Sequence, residues 1–142
     1  MKLDQPIGDT ALAPFFIRVS LGAFLLLSGR AKMDGMPGFV HPDFVLQMQG
    51  MKAMPEGVST VYAILLPYLE LLAGAFLIIG FWTTFTAILS AIIFAVSVYL
   101  WGIYPTESKV IFNKDIVLLA CAISLLYSGA GAFSMDRFRK GG

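Results

Sequence analysis

The sequence predicts an all-α integral membrane protein, a four-helix bundle with a short interfacial helix between its first and second spans. Three observations carry this. Hydrophobic residues make up 58% of the 142 residues and charged residues 13%, with a mean hydropathy of +0.80, whereas soluble domains are about one quarter charged. Four apolar runs each approach the roughly 20 residues needed to cross about 30 Å of hydrocarbon. Trp82 and Trp101 stand 19 residues apart, roughly 28 Å along a helix, which is the spacing of the two aromatic belts of a bilayer.

The spans follow in order within a single domain, 1–142. The stretch up to Ala13 carries Asp4 and Asp9, with neither a positive n-region nor a small-residue cleavage site. The first run, about 11–29, therefore reads as a retained span and not a signal peptide. The second, about 58–80, follows Pro55, which suits a first helical turn because it has no N–H to leave unpaired. Pro67 inside it predicts a kink. Only Phe81 and Trp82 separate it from the third, about 83–101, so the two form a tight antiparallel hairpin. The fourth, about 115–131, ends in a glycine-rich stretch.

Two longer loops share one side. In the first, Phe44, Val45, Met48 and Met51 recur at helical spacing after Pro42. This segment is too short to span and predicts a helix that lies at the interface or caps the bundle. Small residues at every fourth position, Ala87, Ala91, Ala95 and Ala120, Ser124, Ser128, predict close helix packing in lipid.

Charge decides little about orientation. Lys2, Arg137, Arg139 and Lys140 on the terminus side nearly balance Arg30, Lys32, Lys52, Lys109 and Lys114 on the loop side. The cluster 137–140 just past the last span favours cytoplasmic termini. On the loop side Asp34, Asp43, Glu56, Glu107 and Asp115 offset the basic residues, so no strong field focuses an anion there. A net charge of +1 without a basic run argues against a nucleic-acid partner.

Cys121 is the only cysteine and His41 the only histidine. The chain cannot form an internal disulfide, and the sequence predicts no metal, haem or flavin held by this chain alone. Any redox cofactor is then a diffusible one, such as a quinone, or belongs to a partner.

Ionisable groups in hydrocarbon are costly and mark sites. Arg18 and Glu70 fall at similar depths in the first two spans, so the expectation is that they pair. They then serve either as a structural tie or, with Tyr68 two residues before Glu70, as a pocket for a quinone head group or a proton relay. In the second reading Glu70 and Arg18 are the candidate catalytic residues. Arg30, Lys32, His41, Lys114 and Asp115 form a second candidate group, for substrate or partner, at the loop-side mouth. Their plainer role is snorkelling and helix capping.

The order of these residues resembles that of DoxX-type membrane proteins. The resemblance rests on Arg18-x3-Gly22-x-Phe24-x4-Gly29-x2-Lys32, on Glu70-Leu71-Leu72-Ala73-Gly74 with Leu77 and Gly80, and on Asn113-Lys114-Asp115. Ser128-Gly129-x-Gly131 and Ser134-x-Asp136 extend it, so that it runs from about Pro14 to Asp136. It implies membership of the wider group of DoxX and methylamine-utilisation-E proteins: four-helix bacterial inner-membrane proteins with cytoplasmic termini. Some of these are linked to thiosulfate:quinone oxidoreductase and others to thiol-redox complexes. The missing cysteine pair weighs against a direct disulfide role.

Two functions follow as expectations. One is a membrane subunit of a quinone-linked oxidoreductase, an enzyme component of the thiosulfate:quinone type if it is catalytic. The other is a non-catalytic accessory subunit that stabilises a larger membrane complex. Both predict the lipid bilayer and other membrane subunits, or further copies of this chain, as partners. A small-solute permease is disfavoured, with one carboxylate inside a span and no inverted repeat.

Overall fold

The computed structural model describes residues 10–33, 39–103 and 112–141, apart from the Lys140 side chain. Asp4, Asp9, Asp34, Glu107, Lys2 and Lys109 lie outside these residues. Among the described residues six helices follow one another: α1 (Leu12–Ala31), α2 (Pro42–Gln49), α3 (Glu56–Ile79), α4 (Thr83–Trp101), α5 (Lys114–Ser128) and α6 (Met135–Lys140). No strand forms among the described residues; Met33 and Val40 make one isolated bridge.

Among the described residues three helices, α1, α3 and α4, are long and apolar enough to cross a membrane. The expected fourth run forms α5, whose 15 residues extend only about 22 Å. It still completes the bundle: α1 packs on α3, α3 on α4, α4 on α5 and α5 on α1. Leu21, Leu25, Ala73, Leu77, Ala87, Phe94, Ala122 and Leu125 meet in the core. Large apolar side chains such as Phe16, Leu27, Ile64, Leu72, Phe85 and Ile92 face outward, as lipid-facing residues do.

The helix ends follow from local chemistry. Gly80, at φ 73°, closes α3 and donates to the Phe76 carbonyl, and Phe81 donates to the same carbonyl, so three residues suffice to turn into α4. The Asn113 side chain accepts from Asp115 N–H (3.0 Å) to cap α5 and donates to Gly102 O (2.8 Å), which holds the start of α5 beside the end of α4. α2 begins at Pro42 and turns Phe44, Val45 and Met48 inward against the bundle. Of its two expected placements, it takes that of a cap.

The tightest contact differs from the expected one. Ala87 is fully buried, but Ala95, Ala120, Ser124 and Ser128 are exposed. A strict four-residue repeat drifts about 40° per step around a helix, so Ala95 has rotated off the face that Ala87 buries. The inward face of α4 instead alternates threes and fours, through Thr83, Thr86, Ala87, Ser90, Ile93 and Phe94. Closest approach belongs to α1 and α3. A Cβ on Gly22 would lie 2.8 Å from Gly74 O, one on Gly74 2.7 Å from Gly22 O, and one on Gly29 2.8 Å from Pro67 O. These glycines fix the antiparallel register, and α3 continues through Pro67.

Candidate functional site

That register separates the two charges expected to pair. Gly22 faces Gly74 and Gly29 faces Pro67, so Arg18 stands opposite the last turn of α3. Glu70 lies roughly 12 Å farther along. Helical side chains also lean toward their own N-terminus. Arg18 leans away from Glu70, and Lys32, at the other end of α1, leans toward it.

Arg18 is fully buried at the terminus end. Its Nη1 donates to Ala130 O (2.9 Å) and Nη2 to Phe133 O (3.1 Å). Gly80 leaves room for the guanidinium; a Cβ there would lie 2.1 Å from Nη1. Asp136 is close enough to act on the guanidinium charge. Asp136 also accepts from Trp82 N–H (3.0 Å) and Thr83 N–H (2.7 Å), capping α4, while its own N–H donates to Gly80 O (3.1 Å). Burial opposes ionisation of Asp136. The amide hydrogen bonds from Thr83 and Trp82, with the Arg139 charge, outweigh burial and hold its carboxyl below the ordinary value of 3.8. This cluster fastens the C-terminal segment beneath the α3–α4 turn.

Glu70 finds Lys32 instead. Lys32 Nζ lies 2.6 Å from both carboxylate oxygens and 2.8 Å from Ser28 Oγ, one turn earlier, and faces the Phe44 ring at 5.7 Å. The pair walls a cavity of about 300 Å³ at the loop end. Each helix of the bundle contributes: Phe24 and Ser28 from α1, Tyr62 and Leu66 from α3, Phe94, Ser97 and Trp101 from α4, and Lys114 and Asp115 from α5. Phe44, Gln47 and Met48 of α2 close it. The Ser97 hydroxyl donates to Asp115, whose position in the first turn of α5 suits a carboxylate. Lys114 Nζ lies 3.8 Å from Asp115 and 5.8 Å from the Phe24 ring centre.

The two expected groups are thus regrouped. Glu70, Lys32, Lys114 and Asp115 share one cavity. Arg18 belongs to the opposite end. Tyr68 is 40% exposed on the outer face of α3, because two residues on a helix turn through about 200°. Tyr62, two turns before Glu70, lines the cavity in its place. Arg30 is exposed in the last turn of α1. His41 caps α2: its Nδ1 accepts from Asp43 N–H (3.3 Å), and its backbone N–H donates to Lys32 O (2.9 Å), tying the cap helix to the residue that carries the ammonium. No cluster of three or more His, Cys, Asp or Glu that could hold a metal occurs among the described residues.

The arrangement offers donors (Lys32, Tyr62, Lys114), acceptors (Glu70, Asp115) and flat walls (Phe24, Phe94, Trp101) within one recess. Such a mixture suits a small, flat ligand bearing oxygen atoms, held by a few polar contacts between apolar faces.

Among known families, the one described as methylamine utilisation protein MauE matches residues 10–111. It is a membrane family related to DoxX-like proteins. No curated protein and no solved structure matches the chain. The matched region takes in Lys32 and Glu70 and ends before Lys114 and Asp115.

Proposed function

The chain belongs to the MauE family, and on that premise we propose that it is a membrane accessory protein of a redox system that holds the head group of a quinone in the loop-side cavity. The observation that carries this reading is the convergence of all four bundle helices and α2 on one recess around the Lys32–Glu70 pair. The residues suit the group. Tyr62 and Lys114 can donate to ring carbonyls, and Lys32 can do so by exchanging one of its three present acceptors; Phe24, Phe94 and Trp101 can pack on its faces, and about 300 Å³ admits a substituted ring. A bound quinone would accept electrons delivered by a partner subunit. This chain's part is to orient the ring, keep bulk lipid from its polar atoms and present Glu70 and Asp115 as proton carriers. In this reading the protein lies in the bacterial inner membrane with α5 as a fourth, short span and both termini cytoplasmic.

The cavity tryptophan supplies the test. Trp101 lines the recess and Trp82 lies at the other end, so a Trp82→Phe chain reports on Trp101 alone. A short-chain quinone analogue is expected to quench it saturably, and Lys32→Gln/Glu70→Gln to abolish saturation without unfolding. Quenching that rises linearly in both proteins would remove the quinone reading.

A second reading rests on the pair itself, which links α1 to α3 with both charges satisfied. The chain would then only stabilise a larger membrane complex. It predicts that partner subunits co-purify in fixed ratio and that in Glu70→Gln their activity falls only as far as folded chain is lost.

A further inference from the structure

The terminus end carries a feature with no part in the cavity. Beyond α5 the sequence holds three basic residues, Arg137, Arg139 and Lys140, against one acid, Asp136. That acid is already engaged, accepting from two amides at the start of α4. Arg137 and Arg139 are exposed. Around them Phe133 is 71% and Phe138 76% exposed. A groove of about 460 Å³ runs between Phe133, Arg137 and Phe138, and a recess of about 350 Å³ joins Trp82, Phe85 and Arg139.

This surface is held in place. Arg18 grips the carbonyls of Ala130 and Phe133, Ser134 caps α6 by accepting from Arg137 N–H (3.2 Å), and the Asp136 amide donates to Gly80 O. It also sits where the α3–α4 turn brings Trp82 and Phe85 to the end of the spans, at the level where aromatic residues meet headgroups. Cations interleaved with exposed rings at that level match a surface of anionic headgroups above acyl chains.

We propose that α6 and the α3–α4 turn form a binding surface for anionic phospholipids. Arg137, in the groove between Phe133 and Phe138, and Arg139, in the recess beside Trp82 and Phe85, each attract a headgroup phosphate, and the exposed rings rest in the acyl boundary beside them. Arg18 and Asp136 act as positioning residues that keep this platform rigid.

Trp82 reports on the site. The full chain carrying Trp101→Phe is reconstituted in vesicles of equal parts phosphatidylcholine and phosphatidylglycerol, with bromine on one lipid at a time. Quenching of Trp82 is expected to be stronger with brominated phosphatidylglycerol, by an apparent preference on the order of fivefold for each arginine. Arg137→Gln/Arg139→Gln should bring the two lipids level, while Arg137→Lys/Arg139→Lys should keep most of the preference. Native mass spectrometry of the unaltered chain, extracted from the same vesicles, checks the result without the tryptophan change and should show phosphatidylglycerol retained over phosphatidylcholine. Equal quenching by both lipids in the parent, or a preference that survives the double glutamine variant, overturns the proposal.

Discussion

At the terminus end the Arg18 guanidinium donates to two backbone carbonyls inside a sealed joint, whereas at the loop end Glu70 meets Lys32 side chain to side chain at the wall of a cavity. Both are charges buried within membrane-spanning helices, and the position of the partner separates their roles. Backbone acceptors cannot move without the fold, so Arg18 is a fastening. A side-chain pair beside open volume can exchange one partner for a ligand without moving a helix, so the Lys32–Glu70 end is where chemistry can enter.

The largest effect should come from breaking the fastening. Arg18→Met leaves two carbonyls without donors and releases the C-terminal segment. A loss of about 3–5 kcal/mol is expected, from about 1–3 kcal/mol per orphaned group plus lost packing. Denaturant titration in detergent should show it, with poor yield of folded protein.

At the other end, Glu70→Gln strands the Lys32 ammonium. That side chain is 22% exposed and can turn partly to water, so a loss of about 2 kcal/mol is expected, below the usual figure for a broken buried pair. Lys32→Gln/Glu70→Gln should recover most of this stability while ligand binding stays lost. If the double variant is no more stable than the single one, the pair is a fastening like Arg18 and the contrast between the ends dissolves.

Gly74→Ala acts between the ends. Its Cβ would meet the Gly22 carbonyl at 2.7 Å, so α1 and α3 must part, at a cost of about 1–2 kcal/mol. The shift should also slacken the Lys32–Glu70 contact, read as weaker quinone-analogue binding.

The smallest effect belongs to Asp136. Asp136→Asn weakens the cap of α4 by about 1 kcal/mol or less. Because the folded carboxyl titrates below 3.8, its contribution is complete above that value and fades as pH falls through the lower folded value. Melting curves recorded down the acid limb should show a drop in the parent that the asparagine variant lacks.

Much of the fold was legible from residues. The apolar runs placed α1, α3 and α4 within two residues of their observed ends, and the spacing of Phe44, Val45 and Met48 placed α2. Less of the site was legible. Depth alone matched Arg18 with Glu70, because the stagger of α1 against α3 is set by contacts among Gly22, Gly29, Gly74 and Pro67, which composition does not order. The lean of helical side chains toward the N-terminus was the available signal for Lys32. Closeness in sequence favours Tyr68, but helical geometry turns it outward and brings Tyr62 to the recess. The roles of Asp136 and Ser134 depend on the C-terminal segment folding back under Gly80, a non-local contact that no spacing announces.

The most direct measurement is photo-crosslinking with a quinone analogue whose reactive group is on the ring, applied to the whole protein in membranes and mapped by peptide mass spectrometry. Adducts are expected on loop-end residues of several helices, among Tyr62, Phe94, Ser97 and Trp101, and should be lost in Lys32→Gln/Glu70→Gln. Adducts gathered around Arg18 and residues 130–137, or a pattern unchanged in that variant, would overturn the loop-end site.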